Sequence, residues 1–465
     1  MTYAFTFDAS ACSGCKACQE ACKDKNGLPV GLLWRRVIEV SGGEWQPAGE
    51  AWENSVFAYY LSLSCNHCTH PKCAGVCPVD AFNVRPDGIV LLDASKCMGC
   101  GYCAWACPYG APQYDPAHGT MTKCNLCYDN LDAGLAPTCV AACPLRALDC
   151  TSAEGSIPLK DARKLWQLPG NQHPYPLPDF SRTEPRLAIK LHPAMDNPLE
   201  KMISNQEELL PPQARVNTHA IAAFSELPLV GFTLLTQMAV GMALSRLVVP
   251  ALPFQQLLAI GTLLAVGGLI SFLHLGRKRN AWRAVSHLRK SWLSREILMA
   301  ILFTIAWVVT IAWGWLQNEP LTPWLMAIFG IGLLYAMSRV YLLRAVPAWN
   351  SWRTPAAFFL SAIVLGVLGV RLIALFPGSE FVAAIAMGAE MAMVLADRPV
   401  SASVPGKLRV SLLGLGIIGV LLTASLPPVI GGWLAYTVFL IALAAEVIGR
   451  WQFYTWRVPF PVDSI

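Results

Sequence analysis

Residues 97–108 read Cys-Met-Gly-Cys-Gly-Tyr-Cys-Ala-Trp-Ala-Cys-Pro, with cysteines at positions 97, 100, 103 and 107. Three cysteines at this spacing, with a fourth before a proline, are typical of ferredoxin sites. In such sites three cysteines wrap one [4Fe–4S] cluster and the fourth reaches a neighbouring cluster. Three further groups of four occur in the first 150 residues: Cys12, Cys15, Cys18 and Cys22; Cys65, Cys68, Cys73 and Cys77; Cys124, Cys127, Cys139 and Cys143. The pattern predicts a row of linked redox centres that conducts single electrons.

Zinc and disulfides are the alternative uses of so many cysteines. Structural zinc usually takes two separated pairs of ligands, and three cysteines at two-residue intervals do not fit that pattern. Disulfides require an oxidising compartment, and residues 1–8 do not resemble an export signal. The seventeenth cysteine, Cys150, stands outside the four groups and is expected to be a buried or spare thiol rather than a ligand.

The composition divides the chain into a polar half and an apolar half. Hydrophobic residues make up 54% of the chain and the mean hydropathy is +0.44, but the first 150 residues are of ordinary polarity. The net charge of +5 is modest, and the basic residues punctuate apolar segments instead of forming a stripe on a soluble face. We therefore expect no nucleic-acid partner.

A proline-rich segment separates the two halves. Residues 151–218 contain ten prolines, a density that blocks the interiors of helices and sheets. This segment is expected to be an extended connector that packs on the cluster domain, and a flexible tether is the equal alternative. The predicted domains are thus residues 1–150, a connector over 151–218, and a membrane domain over 219–465.

The second half contains eight apolar segments, most of them near 20 residues, a length that crosses the roughly 30 Å core of a bilayer as a helix. Their predicted limits are 227–249, 253–275, 295–316, 323–344, 355–376, 381–397, 408–426 and 429–450. The sixth is the shortest. The fold class predicted for the whole chain is an α+β ferredoxin-like four-cluster domain followed by an all-α bundle of eight transmembrane helices.

Basic residues are unequally divided between the two sides of the predicted membrane domain. Near the span ends on the far side stand only Arg246 and Arg371. The side shared with the cysteine-rich domain carries Arg277, Lys278, Arg279, Arg283, Arg289, Lys290, Arg295, Arg344, Arg353, Arg398, Lys407, Arg409, Arg450 and Arg457. Because positive loops stay in the cytoplasm, we predict a cytoplasmic (inner) membrane protein whose clusters face the cytoplasm.

Stretches between the cysteines carry a family resemblance. They are Phe57-Ala-Tyr-Tyr-Leu-Ser-Leu-Ser-Cys-Asn-His-Cys68, Cys107-Pro-Tyr-Gly-Ala-Pro-Gln-Tyr114, Met121-Thr-Lys-Cys124 and Cys143-Pro-Leu-Arg-Ala-Leu148. On these stretches, residues 1–205 resemble the iron–sulfur subunits of dimethyl sulfoxide reductases, in the complex iron–sulfur molybdoenzyme group.

The resemblance implies four [4Fe–4S] clusters and their ligands. In such subunits the first cysteine group pairs with the fourth and the second pairs with the third. Carried over, the ligand sets are Cys12, Cys15, Cys18 and Cys143; Cys22, Cys124, Cys127 and Cys139; Cys65, Cys68, Cys73 and Cys107; Cys77, Cys97, Cys100 and Cys103.

Residues 220–455 resemble the membrane anchor of the same reductases, which is normally a separate subunit. The resemblance rests on Glu226-Leu-Pro-Leu229 with Gln237, Leu273-His-Leu-Gly276, Ser294-Arg-Glu296, Met337-Ser-Arg-Val-Tyr341, Trp349-Asn-Ser-Trp-Arg-Thr-Pro355 and Glu446-Val-Ile-Gly-Arg450. The chain therefore looks like a fusion of the two subunits. An anchor of this type implies no haem and a site for menaquinol.

The quinol site implied by the resemblance uses ionisable and polar groups of the spans. His274, Glu296 and Arg339 are the candidate catalytic residues, and quinol binding is assigned to His274 together with Glu226, Gln237 and Tyr341. For His274 the alternative is a hydrogen bond to lipid headgroups, and for Glu296, Arg339 and Arg450 it is snorkelling or a salt bridge. Glu390 and Glu446 either mark a proton path or pair with an arginine.

The resemblance implies a subunit that oxidises menaquinol and passes electrons to a molybdopterin-containing catalytic subunit. That partner would reduce dimethyl sulfoxide or similar S- and N-oxides. The alternatives are the same module serving a polysulfide, thiosulfate or tetrathionate reductase, electron flow into quinone, or a membrane-bound redox sensor or metal-binding scaffold. The chain contacts lipid and the quinol pool, and quinol oxidation is the only reaction expected within it.

Overall fold

The computed structural model describes residues 2–42, 45–49, 51–54, 56–152, 177–178, 182–190, 192–193, 226–248, 253–314, 321–374, 378–426 and 428–455. The chain folds as two units that divide near residue 218, so that the cysteine-rich half and the apolar half are each compact by themselves.

The first unit consists of short strands and helices joined by long loops. The strands are β1 Tyr3–Asp8, β2 Arg36–Gly42, β3 Trp45–Ala48, β4 Ala51–Asn54, β5 Phe57–Leu63, β6 Phe82–Val84, β7 Val90–Leu92, β8 Gln113–Asp115, β9 Thr120–Thr122, β10 Leu148–Ser152 and β11 Leu187–Lys190. The helices are α1 Ala17–Lys25, α2 Lys72–Val76, α3 Tyr102–Ala106, α4 Tyr128–Asp132 and α5 Thr138–Ala141.

β1 is the central strand of a three-stranded sheet, antiparallel to β10 and parallel to β11. Side chains alternate across a strand, and the alternate residues Phe5 and Phe7 are buried in the core of the unit. β11 belongs to the predicted connector, so this part of the connector pairs with the first strand of the chain. Residues 153–176 and 194–218 of the connector lie outside the described residues.

Four antiparallel strand pairs complete the unit, namely β2 with β5, β3 with β4, β6 with β7, and β8 with β9. In the first pair Ile38 lies opposite Leu61, and both are buried in the same core as Phe5 and Phe7. These strands are short, and most of the cysteines lie on the loops and short helices beside them.

The second unit is helical and contains one long helix for each predicted span. The helices are α6 Leu227–Ser245, α7 Phe254–Leu273, α8 Trp292–Gly314, α9 Leu321–Tyr341, α10 Arg353–Arg371, α11 Ser379–Leu395, the short α12 Arg398–Ala402, α13 Val404–Thr423 and α14 Pro428–Thr455. A 3₁₀ helix, Lys278–Val285, lies between α7 and α8.

Seven of these helices are long and apolar enough to cross a membrane, judged by length and composition. The two exceptions among the described α-helices are the five-residue α12 and α11, the sixth predicted span, which has 17 residues. The length of α11 bears on the number of spans. At 1.5 Å per residue this helix is about 26 Å long, short of a typical hydrocarbon core. The prediction of a multi-pass membrane protein is confirmed. Of the eight predicted spans, seven are supported by the length and composition of the described helices.

The helices of the second unit bury two adjoining cores. The first core is formed by α6, α7, α8 and α9 together with one face of α10. The second is formed by α10, α11, α13 and α14. α10 therefore belongs to both, and it packs closely on α6. Apolar residues such as Leu269, Ile385 and Leu440 remain exposed on the outside, as expected for surfaces that face lipid.

The contact between α6 and α10 depends on glycine. A Cβ atom on Gly241 would lie 1.8 Å from the carbonyl oxygen of Ala362, and one on Gly366 would lie 2.3 Å from the backbone of Gly241. Small residues at such positions let two membrane helices approach backbone to backbone.

We predict that Gly241→Ala lowers the melting temperature of the detergent-solubilised chain, because the two helices must move apart, at a cost of about 1–3 kcal/mol. Gly268→Ala in α7 is the control, since a Cβ atom there meets nothing within 4 Å. Equal melting temperatures for the two variants would contradict this account of the helix contact.

Candidate functional site

The cysteine loops of the first unit turn sharply around their sulfur atoms. Gly14 and Lys16, on either side of Cys15, have φ angles of 72° and 60°, in the left-handed region. Gly101 has a φ of 75° and immediately precedes α3. At Gly14 the space is also restricted, because a Cβ atom would lie 2.5 Å from the ring of Tyr60. These turns hold closely spaced cysteines on the inside of one loop.

The fold brings cysteines that are distant in sequence into four sets whose side chains interact electrostatically. The thiol of Cys12, for example, interacts with that of Cys143, and the thiol of Cys22 with that of Cys139. The sets are Cys12, Cys15, Cys18 and Cys143; Cys22, Cys124, Cys127 and Cys139; Cys65, Cys68, Cys73 and Cys107; Cys77, Cys97, Cys100 and Cys103. They correspond to the predicted ligand sets, here called sets one to four.

Interactions between the sets give them an order. Cys18 of set one interacts with Cys139 of set two. Cys124 of set two interacts with Cys65 of set three, and Cys103 of set four interacts with Cys73 of set three. Each contact joins consecutive sets, so the four form one row. Cys15, at one end of the row, is exposed, whereas three of the four cysteines of set four are buried.

The chemistry of these sites fits iron–sulfur clusters. Burial raises the pKa of Cys22 to about 12 and that of Cys107 to about 11, so bare thiolates are costly here. Cationic iron would compensate the thiolate charge that burial disfavours. Among the described residues, no three His, Cys, Asp or Glu side chains converge as one metal ion would require. The cysteines of sets one and three instead line larger cavities.

Two of the sets line open cavities. Set three lines a cavity whose open space, solvent included, is about 370 Å³, together with Lys123 and Tyr109. Set one lines a second cavity of about 340 Å³. A polynuclear cluster needs such a space between its ligands.

Backbone amides donate hydrogen bonds to several of the sulfur atoms. The amide of Ala81 lies 3.3 Å from Sγ of Cys77, that of Leu126 lies 3.3 Å from Sγ of Cys124, and that of Met121 lies 3.4 Å from Sγ of Cys97. Such bonds stabilise negative charge on sulfur and are one means by which a protein sets a cluster potential.

A buried arginine lies between sets one and two. Arg35 is 2% exposed, and its guanidinium interacts electrostatically with Cys18 of set one and with cysteines of set two. It is held by hydrogen bonds to Ser62 and to Ser64 Oγ (3.0 Å), and it lies 4.5 Å from the ring centre of Phe5. The sequence analysis missed this residue because a pair of arginines at the start of a strand matches no cluster-binding motif.

Further cations lie beside set three. Arg36 donates a 2.8 Å hydrogen bond to the carbonyl of Tyr109 and interacts electrostatically with Cys107. Lys123 is buried, donates to the carbonyl of Cys124 at 3.0 Å and interacts with Cys73. Positive charge is thus built into the interior beside sets one, two and three.

Cys150 stands apart from the four sets in sequence and lies in β10, opposite Phe5. It is half-buried, and burial raises the pKa of its thiol to about 12. This placement agrees with a spare thiol.

In the second unit, four of the predicted site residues belong to one buried polar group, here called the tyrosine cluster. Its members are Glu226, Gln237, Glu296, Tyr341, Arg450 and Tyr454. The hydroxyls of Tyr341 and Tyr454 are 2.6 Å apart, and Arg450 donates a 3.0 Å hydrogen bond to Oε1 of Gln237. Glu296 interacts electrostatically with both tyrosines, and Glu226 with Tyr454.

Aromatic rings surround this cluster. The guanidinium of Arg450 lies 3.8 Å from the ring centre of Phe358, and Tyr341 is within 5.5 Å of the rings of Trp349 and Phe358. Arg450 is 5% exposed, so it does not snorkel to the membrane surface. Nε2 of Gln237 is buried and has no hydrogen-bond partner among the described residues.

The other predicted residues lie elsewhere in the unit. Arg339 lies 4.9 Å from the ring centre of Trp292, a cation–π contact that does not involve the tyrosine cluster. His274 follows directly after α7 and interacts with the backbone of Ser271. Tyr454, which the sequence analysis did not select, is in the cluster because α14 extends to Thr455, beyond the predicted span.

Glu390 and Glu446 pair with an arginine, one of the two expected outcomes. Arg409 lies 3.2 Å from Glu390 and 3.9 Å from Glu446.

A cysteine-rich domain with sites for a row of clusters, joined to a bundle of apolar helices, defines an iron–sulfur electron-transfer protein with its own membrane anchor. Comparison with known proteins agrees with this class. Residues 56–153 match the 4Fe-4S dicluster domain, and residues 221–405 match the DMSO reductase anchor subunit (DmsC) family.

One of the chains of the anaerobic dimethyl sulfoxide reductase of Escherichia coli (strain K12) is 47% identical over 188 residues, which are 40% of the present sequence and 88% of that relative. The protein belongs to this iron–sulfur subunit family, and it carries the anchor subunit fused behind it. The predicted resemblance is confirmed.

More distant relatives have other names. The formate dehydrogenase iron–sulfur subunit of Wolinella succinogenes is 40% identical over 166 residues, covering 31% of this chain and 78% of the relative. A subunit of the sulfite dehydrogenase of Allochromatium vinosum is 39% identical over 166 residues, covering 31% of this chain and 66% of the relative.

We predict that Arg35→Gln lowers the reduction potentials at sets one and two by on the order of tens of millivolts, because a buried positive charge favours the reduced cluster. Redox titration followed by electron paramagnetic resonance measures these potentials. Arg35→Lys keeps the charge and should shift them less.

Arg85→Gln is the control, since Arg85 is half-buried and its charge is compensated by ion pairs with Asp87 and Asp132. Equal potentials in Arg35→Gln and the wild type would show that the arginine only supports packing.

Proposed function

We propose that this chain oxidises menaquinol in the membrane and conducts the electrons through four [4Fe–4S] clusters to a molybdopterin-containing catalytic subunit. The observation that carries the proposal is the single row formed by the four cysteine sets, in a chain that also contains its anchor. A row with contacts between consecutive sets suits conduction, whereas a sensor needs only one cluster.

In this proposal each set ligates one cluster with four cysteines. When bound, the clusters supply one-electron redox chemistry, and the chain holds them in order and sets their potentials through the amides, Arg35 and Lys123. Electrons leave at set one, because Cys15 is exposed there and a docked catalytic subunit can approach it. Quinol delivers electrons at the opposite end of the row.

The side chains of the quinol site must accept protons as the electrons leave. His274, Glu296 and Arg339 are the proposed catalytic residues; His274 and Glu296 can accept a proton, whereas Arg339 keeps its positive charge and can only stabilise negative charge that develops on the quinol. Glu226, Gln237 and Tyr341 are proposed to bind the quinol together with His274. An unprotonated imidazole suits proton acceptance near neutral pH. In support, the tyrosine cluster combines two carboxyl groups, two hydroxyls and an amide nitrogen of Gln237 that has no hydrogen-bond partner among the described residues, beside aromatic rings.

The terminal reaction is proposed to be reduction of dimethyl sulfoxide or a similar S- or N-oxide, on the basis of the 47% identical relative. The clusters are proposed to face the cytoplasm, because basic residues concentrate on one side of the helices. Protons released and consumed on one side would then move little net charge across the membrane.

Electron flow into quinone is the second candidate. It is favoured by the relatives that are named as subunits of a formate dehydrogenase and of a sulfite dehydrogenase. Copurification of the chain from native membranes, followed by assay of the partner with sulfoxide and with formate or sulfite, distinguishes the two directions.

The cluster assignment predicts which cysteine variants behave alike. Cys22 lies in the first sequence group but in set two, so Cys22→Ser should perturb the same paramagnetic signal as Cys127→Ser. Cys15→Ser, in set one, should perturb a different signal. Wild-type protein should contain about sixteen iron and sixteen sulfide ions, as four cubanes require. Zinc in their place, or iron for only two clusters, would refute the assignment.

A quinol-site variant should separate cluster assembly from quinol oxidation. We expect His274→Ala to retain all clusters and their reduction by dithionite, but to lose reduction by a menaquinol analogue. His287→Ala, another half-buried histidine of the same unit, serves as the control. Stopped-flow absorbance at the cluster bands gives the rates. If a menaquinol analogue reduced the clusters of His274→Ala at the wild-type rate, the quinol role of His274 would be rejected in favour of a hydrogen bond to lipid headgroups.

A further inference from the structure

A second polar group lies inside the membrane unit, where four helices meet. It consists of Ser361 of α10, Glu390 of α11, Arg409 of α13 and Glu446 of α14. Ser361 Oγ is 2.7 Å from Glu446 Oε2 and 3.4 Å from Glu390 Oε1. Glu390 and Glu446 are 0% and 1% exposed. None of these four residues belongs to the predicted quinol site.

The charges of this group do not balance when both carboxylates are ionised. Among the described residues, Arg409 is the cation that lies within 4 Å of the two carboxylates, at 3.2 Å from Glu390 and 3.9 Å from Glu446, whereas Arg450 acts on them from beyond that distance and donates its hydrogen bond to Gln237. An uncompensated charge in a membrane interior is costly, so one of the two carboxyl groups is favoured in its neutral form.

One acceptor atom of this group also has no hydrogen-bond donor. Oε1 of Glu446 is buried and accepts no hydrogen bond from any described residue. Glu390 and Glu446 nevertheless interact side chain to side chain, and two ionised carboxylates have no proton to share. A proton shared by the pair would give Oε1 of Glu446 a hydrogen bond. It would also leave one negative charge on the pair, which balances the positive charge of Arg409.

This carboxyl pair is coupled to the tyrosine cluster. Arg450, which donates to Gln237, also interacts electrostatically with Glu446, Glu390 and Arg409. Glu446 and Arg450 stand one helical turn apart on α14 and are both buried. A change of charge at the pair therefore changes the electrostatic potential at Arg450, beside the proposed quinol site.

We propose that Glu390 and Glu446 form a proton-accepting station that holds one proton at rest and takes up one of the two protons released by quinol. This rests on the proposed quinol oxidation. The two electrons go to the clusters, the ionised carboxylate of the pair takes one proton, and both carboxyl groups are then neutral. The station returns to rest when this proton leaves for water.

Infrared spectroscopy of the detergent-solubilised full chain tests the resting proton without any quinol. The wild type should show the carbonyl stretch of a protonated carboxyl group, which shifts in deuterium oxide. Glu390→Gln and Glu446→Gln should each lose the part of this band that comes from the pair, because the remaining carboxylate is ionised beside Arg409, while any contribution of the buried Glu296 stays. Glu380→Gln should keep it, since Glu380 is paired with Arg371. Retention of the full band in both variants of the pair would overturn the proposal.

Kinetics test the role of the station in turnover. With clusters assembled and reducible by dithionite, Glu390→Gln and Glu446→Gln should slow reduction by a menaquinol analogue by roughly tenfold or more. Glu380→Gln should react at the wild-type rate. An unchanged rate in both variants of the pair would reject the station, even if the infrared band were lost.

The two proposals fail in different ways. If the wild type itself is not reduced by quinol, the proposed function fails, while the infrared result still reports on the resting proton. His274→Ala should lose quinol reduction and keep the infrared band. Loss of the band in His274→Ala would assign the proton to another group and reject the carboxyl pair.

Discussion

The burial of negative charge is the constraint on which the structure depends. Most of the sixteen cysteines of the four sets are buried or half-buried, and burial raises the pKa of thiols such as Cys22 and Cys107. The thiolates are tolerable only with cations among them. Iron would supply most of that charge, and Arg35 and Lys123 add fixed charge that does not depend on metal. The short strands and tight turns of the first unit hold the cysteine sulfurs close to these cationic side chains.

The same constraint operates among the membrane helices. Arg450 and Arg409 are placed where carboxylates and tyrosines are buried; Arg450 is itself buried, and Arg409 is mostly covered. The two arginines differ in their partners. Arg450 donates a hydrogen bond to the amide of Gln237 and lies against the ring of Phe358, whereas Arg409 forms ion pairs with two carboxylates. The first environment suits binding of a polar aromatic ligand, and the second suits storage of a proton.

Fusion of the anchor to the iron–sulfur domain places both ends of an electron-transfer path in one chain. In this arrangement the first and the last steps have different requirements. Proton acceptance needs ionisable groups inside a bilayer, which are expensive and few. In the proposed function, electron exit needs an accessible end of the row, and Cys15 of set one is exposed. In this proposal the membrane unit meets the first requirement and the cysteine-rich unit meets the second.

The sequence alone determined the local features. Cysteine spacing identified the four groups, and apolar segments located the long helices, because both patterns repeat within one loop or one span. The pairing of first with fourth group came from a family resemblance, and the fold brings Cys12 and Cys143 together. Only the tertiary structure placed Arg35 between two sets, joined Gln237 to Arg450 across 213 residues, and set Glu390 and Glu446 against Arg409. These contacts join distant elements, and no local pattern encodes which buried charges will meet when helices and strands pack.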